Sequence, residues 1–255
     1  ADSAADGATA PVAPIMSATP LVELTGVSVE RGGRRLLQDV NLRVAPREFI
    51  LLRGPNGAGK TTLFETITGF AAPTAGQVRV AGLPMDWSNR PALRRRIGYL
   101  PQQAWFDTRI PIRAGEFAAL AQFGGWGTRR GSRRGRIARL AEIAGYTGII
   151  PLLDRPLAAL SGGELQKVAI ARILLQEPQL ILMDEPMNHL DRSAREQIAR
   201  LLAQVNREQG LAVILVSHQA DEPPEAATRV LHLEDGRRSA ERPRAAAGGP
   251  PEGAS

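Results

Sequence analysis

The chain has 255 residues and a net charge of +6, and hydrophobic residues make up 43% of it. That length suits one large domain or two small ones, and that apolar share is ordinary for a protein with a buried core. The absence of cysteine excludes disulfides and thiolate metal sites. No apolar run reaches the ~20 residues that span a bilayer, and the N-terminus lacks the apolar segment of a secretory signal. We therefore expect a soluble protein on the cytoplasmic side of a membrane.

The basic residues are mostly arginine and form two clusters, at 94–96 and 129–136. Such clusters lie either on a solvated surface or on one that contacts nucleic acid or anionic lipid. Aromatic residues make up only 4% of the chain, and none is interleaved with these arginines to stack on bases. The composition favours a solvated surface and argues against a nucleic-acid partner.

Residues 1–20 and 239–255 are rich in Ala, Pro and Gly, and we expect both tails to be disordered. Between them, alternating or continuous apolar residues predict strands. These strands are 22–25, 27–30, 36–37, 40–44, 49–52, 77–81, 96–100, 179–183, 211–216 and 229–233. Helical spacing predicts helices from residues 63, 113 and 136, and directly after Ser161 and Asp191.

Residues 104–165 show no strand pattern, which indicates a helical subdomain inserted into a domain of residues 21–238. The predicted helix at 136–144 places four apolar residues on one face. These are Ile137, Leu140, Ile143 and Ala144. Elsewhere, strands alternate with helices, which favours an α/β domain with a mostly parallel sheet. Ligands bind such sheets at the carboxyl ends of the strands.

A glycine-rich loop follows the predicted strand 49–52 and precedes a helix, as G-x-x-x-x-G-K-[ST] requires. Its residues are Gly54, Pro55, Asn56, Gly57, Ala58, Gly59, Lys60, Thr61 and Thr62. The glycines allow a tight turn whose N–H groups face inward and bind phosphate oxygens, together with the helix N-terminus. Lys60 supplies a charge for the outer phosphates, and Thr61 supplies a hydroxyl for Mg²⁺.

Polar residues follow three other strands of the predicted sheet. Asp184 ends an apolar strand and fits a second Mg²⁺ partner, while the next residue, Glu185, is placed to act as a general base toward water. His218 is positioned to donate a hydrogen bond to a γ-phosphate. Gln102 either orients water or completes the Mg²⁺ shell.

Ser161 and Glu164 have the spacing of a capping box at a helix start. Gly162 and Gly163 are poor helix formers in the first turn. We therefore expect them to permit close approach of a group from outside the chain.

Together these residues resemble the nucleotide-binding subunit of an ATP-binding cassette (ABC) transporter over about residues 21–238. The family's motifs occur in the family's order. They are the P-loop 54–61, the Q-loop residue Gln102, the signature 160–164, the Walker B strand 180–184, the catalytic Glu185, the D-loop 188–191 and the switch residue His218.

The resemblance implies a P-loop ATPase with ATP and Mg²⁺ as cofactors. Its fold has a mostly parallel sheet with flanking helices, an antiparallel β subdomain and an inserted helical subdomain. Two cassettes pair head to tail, and ATP lies between the P-loop of one and the signature residues Ser161, Gly162 and Gly163 of the other. Asp191 of the D-loop belongs to the same nucleotide-binding set.

The implied partners are a second copy of the chain or another cassette, transmembrane permease subunits and, for an importer, a substrate-binding protein. The helical subdomain and the Q-loop dock the permease at the cytoplasmic face of the inner membrane. Arg31 stands where the family usually has an aromatic residue that stacks on adenine, and its planar guanidinium can stack as well. Segment 106–112 loosely resembles importers of metal ions or metal chelates, and export of a lipid or small molecule is nearly as compatible.

Two other functions compete with transport. The D-loop resembles that of the ABC-F translation factors, which favours a soluble ATPase on ribosomes or nucleic acid, but those proteins carry two cassettes and this chain carries one. A cassette that binds ATP as a regulatory switch would barely hydrolyse it, and the presence of Glu185 and His218 argues against that function.

Overall fold

The computed structural model describes residues 19–102, 110–123, 132–188, 190–217 and 225–243, with side chains described as far as residue 238. Within these ranges no helix combines the length and the apolar character needed to cross a membrane. The predicted N-terminal tail lies almost wholly outside them, as do parts of the predicted subdomain 104–165, whose boundaries stay a prediction.

The central sheet has six strands in the order β10-β9-β3-β8-β7-β6. Its strands are β3 (Phe49–Arg53), β6 (Ile97–Leu100), β7 (Leu180–Asp184), β8 (Ala212–Val216), β9 (Arg229–Glu234) and β10 (Arg237–Pro243). All neighbours pair in parallel except β10 and β9. The sheet is therefore mostly parallel, as the sequence predicts.

A second sheet is antiparallel and has the order β2-β1-β4-β5. Its strands are β1 (Val22–Arg31), β2 (Arg34–Val44), β4 (Ala75–Val80) and β5 (Leu83–Pro84). The segments predicted as separate strands at 22–25 and 27–30 form one strand, which contains irregularities in its pairing with β2. A turn at Gly32 and Gly33 joins β1 to β2, at the place where the sequence predicts it.

Six α-helices occur in the described ranges. They are α1 (Lys60–Ile67), α2 (Arg90–Arg94), α3 (Ala114–Ala119), α4 (Arg133–Thr147), α5 (Gly162–Leu174) and α6 (Arg192–Gln209). Short 3-10 helices lie between α3 and α5, at Leu120–Gln122, Ile150–Leu152 and Leu157–Ala159. The sequence did not predict α2 or β5, because both are too short to show a period.

Alternate residues of β3 enter two different cores. Phe49 and Leu51 pack with α3, α5 and α6, while Ile50 and Leu52 pack with α1 and the antiparallel sheet. Because successive side chains of a strand point to opposite faces, a strand buried on both sides reads as a continuous apolar run. The strand that leads into the glycine-rich loop is therefore held rigidly from both faces.

Two predictions are wrong in detail. Ile137 is 58% exposed, because α4 buries residues only toward its C-terminal half, at Ile143, Ala144 and Thr147. The expected tail from residue 239 overlaps β10, whose backbone pairs with β9 as far as Pro243 opposite Arg229. A segment of Ala, Pro and Arg lacks the alternating apolar pattern that predicts a strand, so the sequence did not indicate this edge strand.

Candidate functional site

The glycine-rich loop connects the end of β3 to the start of α1 and packs tightly against its neighbours. Gly54 and Gly59 have φ values of 153° and 100°, which a residue with a side chain rarely adopts. A Cβ on Gly54 would lie 2.0 Å from the carbonyl oxygen of Leu233, and one on Gly59 would lie 2.5 Å from that of Leu36. These two positions require glycine for space as well as for conformation.

A turn between β9 and β10 supports this loop from behind. The backbone N–H of Gly236 donates to the carbonyl oxygen of Ala58 at 3.1 Å, and its own carbonyl accepts from Gln38 at 2.7 Å. The sequence indicates the Asp235-Gly236 turn but not its contact with the loop, because local patterns carry no information about partners 178 residues apart. The turn therefore fixes the loop relative to β2.

Lys60 is buried, with 5% of the residue exposed. Its ammonium group donates to the carbonyl oxygens of Gly54 and Pro55 at 2.8 and 2.9 Å. Burial lowers the pKa of Lys60, and the carboxylates of Glu185 and Asp184 raise it in part. The ammonium group is thus held inside the loop, next to the exposed residues Pro55, Asn56 and Gly57.

Two of the predicted metal ligands are brought together. The Thr61 hydroxyl donates to Asp184 Oδ2 at 2.7 Å, and Asp184 is 1% exposed. Hydroxyl and carboxylate oxygens are ligands that Mg²⁺ prefers, and Mg²⁺ usually takes one or two carboxylates with water and substrate phosphates. Among the described residues, the carboxylates of Asp184 and Glu185 both act on the Lys60 ammonium, and such a carboxylate-rich place suits a divalent cation. The residues therefore fit magnesium.

Glu185 directly follows β7 and has a φ of 54°, a strained value for a residue with a side chain. It is 8% exposed. Its Oε2 accepts a hydrogen bond from Gln102 Nε2 at 2.7 Å and another from Asn188 Nδ2. The amide nitrogen of Gln102, predicted to orient water or to bind metal, is thus directed at the predicted base. Asn188 was not among the predicted site residues, although its place three residues after Glu185 is a usable signal.

The predicted signature residues lie at the start of α5. Ser161 caps the helix by accepting from the N–H of Glu164, and its own N–H donates to the Glu164 carboxylate at 2.8 Å. This confirms the capping box. The expectation that the glycines admit a group from outside the chain stays a prediction. Within the chain, a Cβ on Gly162 would lie 3.2 Å from Leu190, and one on Gly163 would lie 3.0 Å from Ala194.

The remaining predicted residues have separate surroundings. Asp191 caps α6 by accepting from the N–H of Ala194 at 2.8 Å. Arg31 ends β1 with its guanidinium 3.4 Å from the Glu65 carboxylate of α1. Thr62, half-buried in the first turn of α1, accepts at its carbonyl from the Thr66 hydroxyl. His218 lies outside the described residues.

Comparisons with known proteins agree on one family. The family model described as ABC transporter matches residues 37–188. The zinc import ATP-binding protein ZnuC of Halorhodospira halophila is 39% identical over 218 residues, which are 86% of this chain and 75% of that protein. The Fe(3+) ions import ATP-binding protein FbpC of Streptomyces coelicolor is 38% identical over 217 residues, which are 85% and 60% of the two chains.

Solved structures give the same result. The ATP-binding cassette MJ0796, seen as a dimer in a post-hydrolysis state with ADP and Pi, superposes with a TM-score of 0.75 and 30% identity. The superposition covers 87% of this chain and 98% of that one. CbiO1 of Clostridium perfringens, part of the complex cbiONQ, has a TM-score of 0.77 and 25% identity over 87% and 88% of the two chains.

Replacing Lys60 by Ala should weaken binding of magnesium-ATP by about 10- to 100-fold, because hydrogen bonds to charged groups contribute ~1.5–3 kcal/mol. Fluorescence titration with a labelled nucleotide measures the affinity. Lys167→Ala is the matched control, since that ammonium lies on the surface beside Gln197 and should leave affinity unchanged. Equal affinity of the Lys60 variant and the unaltered chain would contradict the assignment of the loop.

Proposed function

Because this chain belongs to the ABC transporter family as an ATP-binding subunit, we propose that it drives the import of a divalent metal ion. It binds ATP with Mg²⁺, hydrolyses it, and powers transport through separate transmembrane subunits while two cassettes pair. The metal is the part of this function that goes beyond the family. The observation that carries it is the 39% identity to a zinc import subunit over 86% of the chain.

Several other relatives support a metal substrate. The ZnuC proteins of Alkalilimnicola ehrlichii and Cereibacter sphaeroides are 38% and 37% identical over most of this chain, and FbpC is named for Fe(3+). The named relatives are import subunits, which favours import over export of a lipid or small molecule. They also favour transport over work on ribosomes or nucleic acid.

The substrate ATP is held by the loop and its flanks. The loop N–H groups and the N-terminus of α1 bind the phosphates, and Lys60 leaves its two carbonyl partners for the outer phosphate oxygens. Thr61 and Asp184 hold Mg²⁺, which when bound neutralises charge on the phosphates. Arg31 stacks its guanidinium on the base.

Glu185 acts as the general base. Its carboxylate accepts a proton from the attacking water, whose position Gln102 helps to define from its place on the same carboxylate. His218 donates to the γ-phosphate as charge develops. Ser161, Gly162 and Gly163 of the paired cassette close the site from the other side, with Asp191 at the pairing surface.

A groove beside the Q-loop fits the permease. It has a volume of about 360 Å³ and is lined by Thr68, Phe70, Arg94, Ile97, Tyr99, Pro101 and Gln176. Phe70 is 59% exposed, and the Arg94 guanidinium lies 4.0 Å above its ring while donating to the Thr68 carbonyl. A cytoplasmic segment of the permease seated here would contact Pro101, next to Gln102, and so reach the base.

The subunit associates peripherally with a membrane through these partners. The subunit therefore lies at the cytoplasmic face of the inner membrane, with the groove toward the permease. A substrate-binding protein on the far side would deliver the metal to the permease.

Vesicles that contain this chain with its co-purified membrane subunits should accumulate zinc when ATP is present on the side of the ATPase subunit. Uptake of radioactive zinc, compared with iron and with vesicles that lack ATP, measures the specificity. An otherwise active preparation that moves no metal, while another solute moves with ATP, would exclude metal import and leave the ATPase assignment intact.

Replacing Glu185 by Gln should lower ATP turnover by about 100-fold or more, because the proton acceptor is lost while the shape is kept. Nucleotide binding should persist, and ATP should trap a dimer visible by size exclusion with light scattering. Glu196→Gln, on the exposed surface of α6 beside Arg192, is the control and should retain full turnover. Undiminished turnover of the Glu185 variant would remove this residue from its role.

Replacing Phe70 by Ala should weaken assembly with the membrane subunits by about tenfold or more, since buried aromatic anchors dominate interfaces. ATP hydrolysis by the isolated subunit should not change. Trp87→Ala is the matched control, because Trp87 is an aromatic residue that is 83% exposed outside the groove. Co-purification from detergent-solubilised membranes measures assembly, and equal losses in both variants would refute a role specific to the groove.

A further inference from the structure

Asn188 is a second hydrogen-bond donor to the predicted base, beside Gln102. Its side-chain Nδ2 donates to the same oxygen, Oε2 of Glu185, that accepts from Gln102. Its backbone N–H also donates to the Glu185 carbonyl at 3.2 Å. One carboxylate is therefore held by two side-chain amides, one from a residue 83 positions earlier and one from a residue three positions later.

The segment that carries Asn188 is anchored at both ends. On one side, Pro186 is buried directly after Glu185. On the other, Leu190 is 8% exposed and lies under Gly162 at the start of α5, and Asp191 caps α6. Asn188 itself is exposed, so packing does not explain its orientation. The hydrogen bond to Glu185 does.

A general base must present one lone pair to water in a defined direction. Glu185 has a strained backbone, and a single hydrogen bond leaves its carboxylate free to rotate about that bond. Two donors on one oxygen fix the plane of the group. A small misplacement of a catalytic group costs a large factor in rate, so the second donor affects turnover more than binding.

We propose that Asn188 is a positioning residue for ATP hydrolysis, whose amide N–H, together with that of Gln102, holds the carboxylate of Glu185 in its working orientation. This inference rests on the proposed role of Glu185 as the base. It assigns the function to the donor on Asn188 and not to the shape of the side chain.

Two substitutions separate donor from shape. Asn188→Ala removes the donor and should lower kcat about tenfold, with KM for ATP unchanged. Asn188→Asp keeps the shape but places a second carboxylate against Glu185, and should lower kcat further. Asn41→Ala is the matched control, because that side chain accepts from the backbone N–H of Gly26 and donates to the carbonyl oxygen of Asp39 in the antiparallel sheet, and it should keep both constants.

A double-mutant cycle tests whether Asn188 acts through Glu185. Single-turnover hydrolysis by Glu185→Gln should fall less than twofold when Asn188→Ala is added. A full additional tenfold loss would overturn the inference, as would wild-type kcat in Asn188→Asp. The nucleotide affinity of each variant reports whether it is folded. If the Asn188→Ala variant does not fold, the kcat of the isosteric Asn188→Asp variant still tests whether the donor on Asn188 is required. Undiminished turnover of the Glu185→Gln single variant would instead refute the assignment of Glu185 as the general base.

Discussion

The register of three parallel strands is the constraint on which the site depends. Val216 of β8 is the partner of Leu52 on one side and of Asp184 on the other. Leu52 lies two residues before the loop, so the loop and the carboxylate begin at the same level of the sheet. A shift of one residue in strand pairing turns each side chain to the opposite face of the sheet. The observed register brings Thr61 to Asp184, and a register shifted by one residue would not.

This register also brings the buried charges of the site close enough to stabilise one another. Burial of Lys60 costs free energy, which its two carbonyl partners and two nearby carboxylates offset in part, since its pKa stays below the ordinary value. The fold thus places one ammonium and two carboxylates beside the loop. In the proposed mechanism Lys60 exchanges its two carbonyl partners for phosphate oxygens, so the backbone of the loop is the preorganised part of the site.

Much of this could be predicted from the sequence because the signals are local. The loop, the apolar strands on either side of it and the caps at Ser161 and Asp191 each depend on residues within a few positions. The features that could not be predicted are mainly contacts between residues far apart in the sequence. Three features depend on partners that no local pattern indicates. They are the hydrogen bond from Gly236 to Ala58, the packing of Leu190 under Gly162, and the pairing of β10.

The role of Asn188 could be predicted from the sequence only in part. It lies in a stretch that the sequence singles out, but nothing in the residues says that its amide turns back to Glu185 instead of outward to a partner. The turn from Glu185 to Asn188 is set by the left-handed backbone at Glu185, and such conformations are not specified by residue type when the residue is not glycine. Structure was needed to see the contact.

The start of α5 limits what the proposed pairing of two cassettes can draw from the helix dipole. Glu164 already occupies the positive end of the helix, with its carboxylate on the Ser161 N–H, and that hydrogen bond is the main cause that lowers the pKa of Glu164. A phosphate that approached this helix start, as the proposed pairing requires, would therefore meet an anion. Arg155, 2.8 Å from Glu164, balances that charge and lies where it can follow the carboxylate. Exposed ion pairs of this kind contribute little to stability, so the same pair can rearrange when a triphosphate arrives without a large cost to the fold.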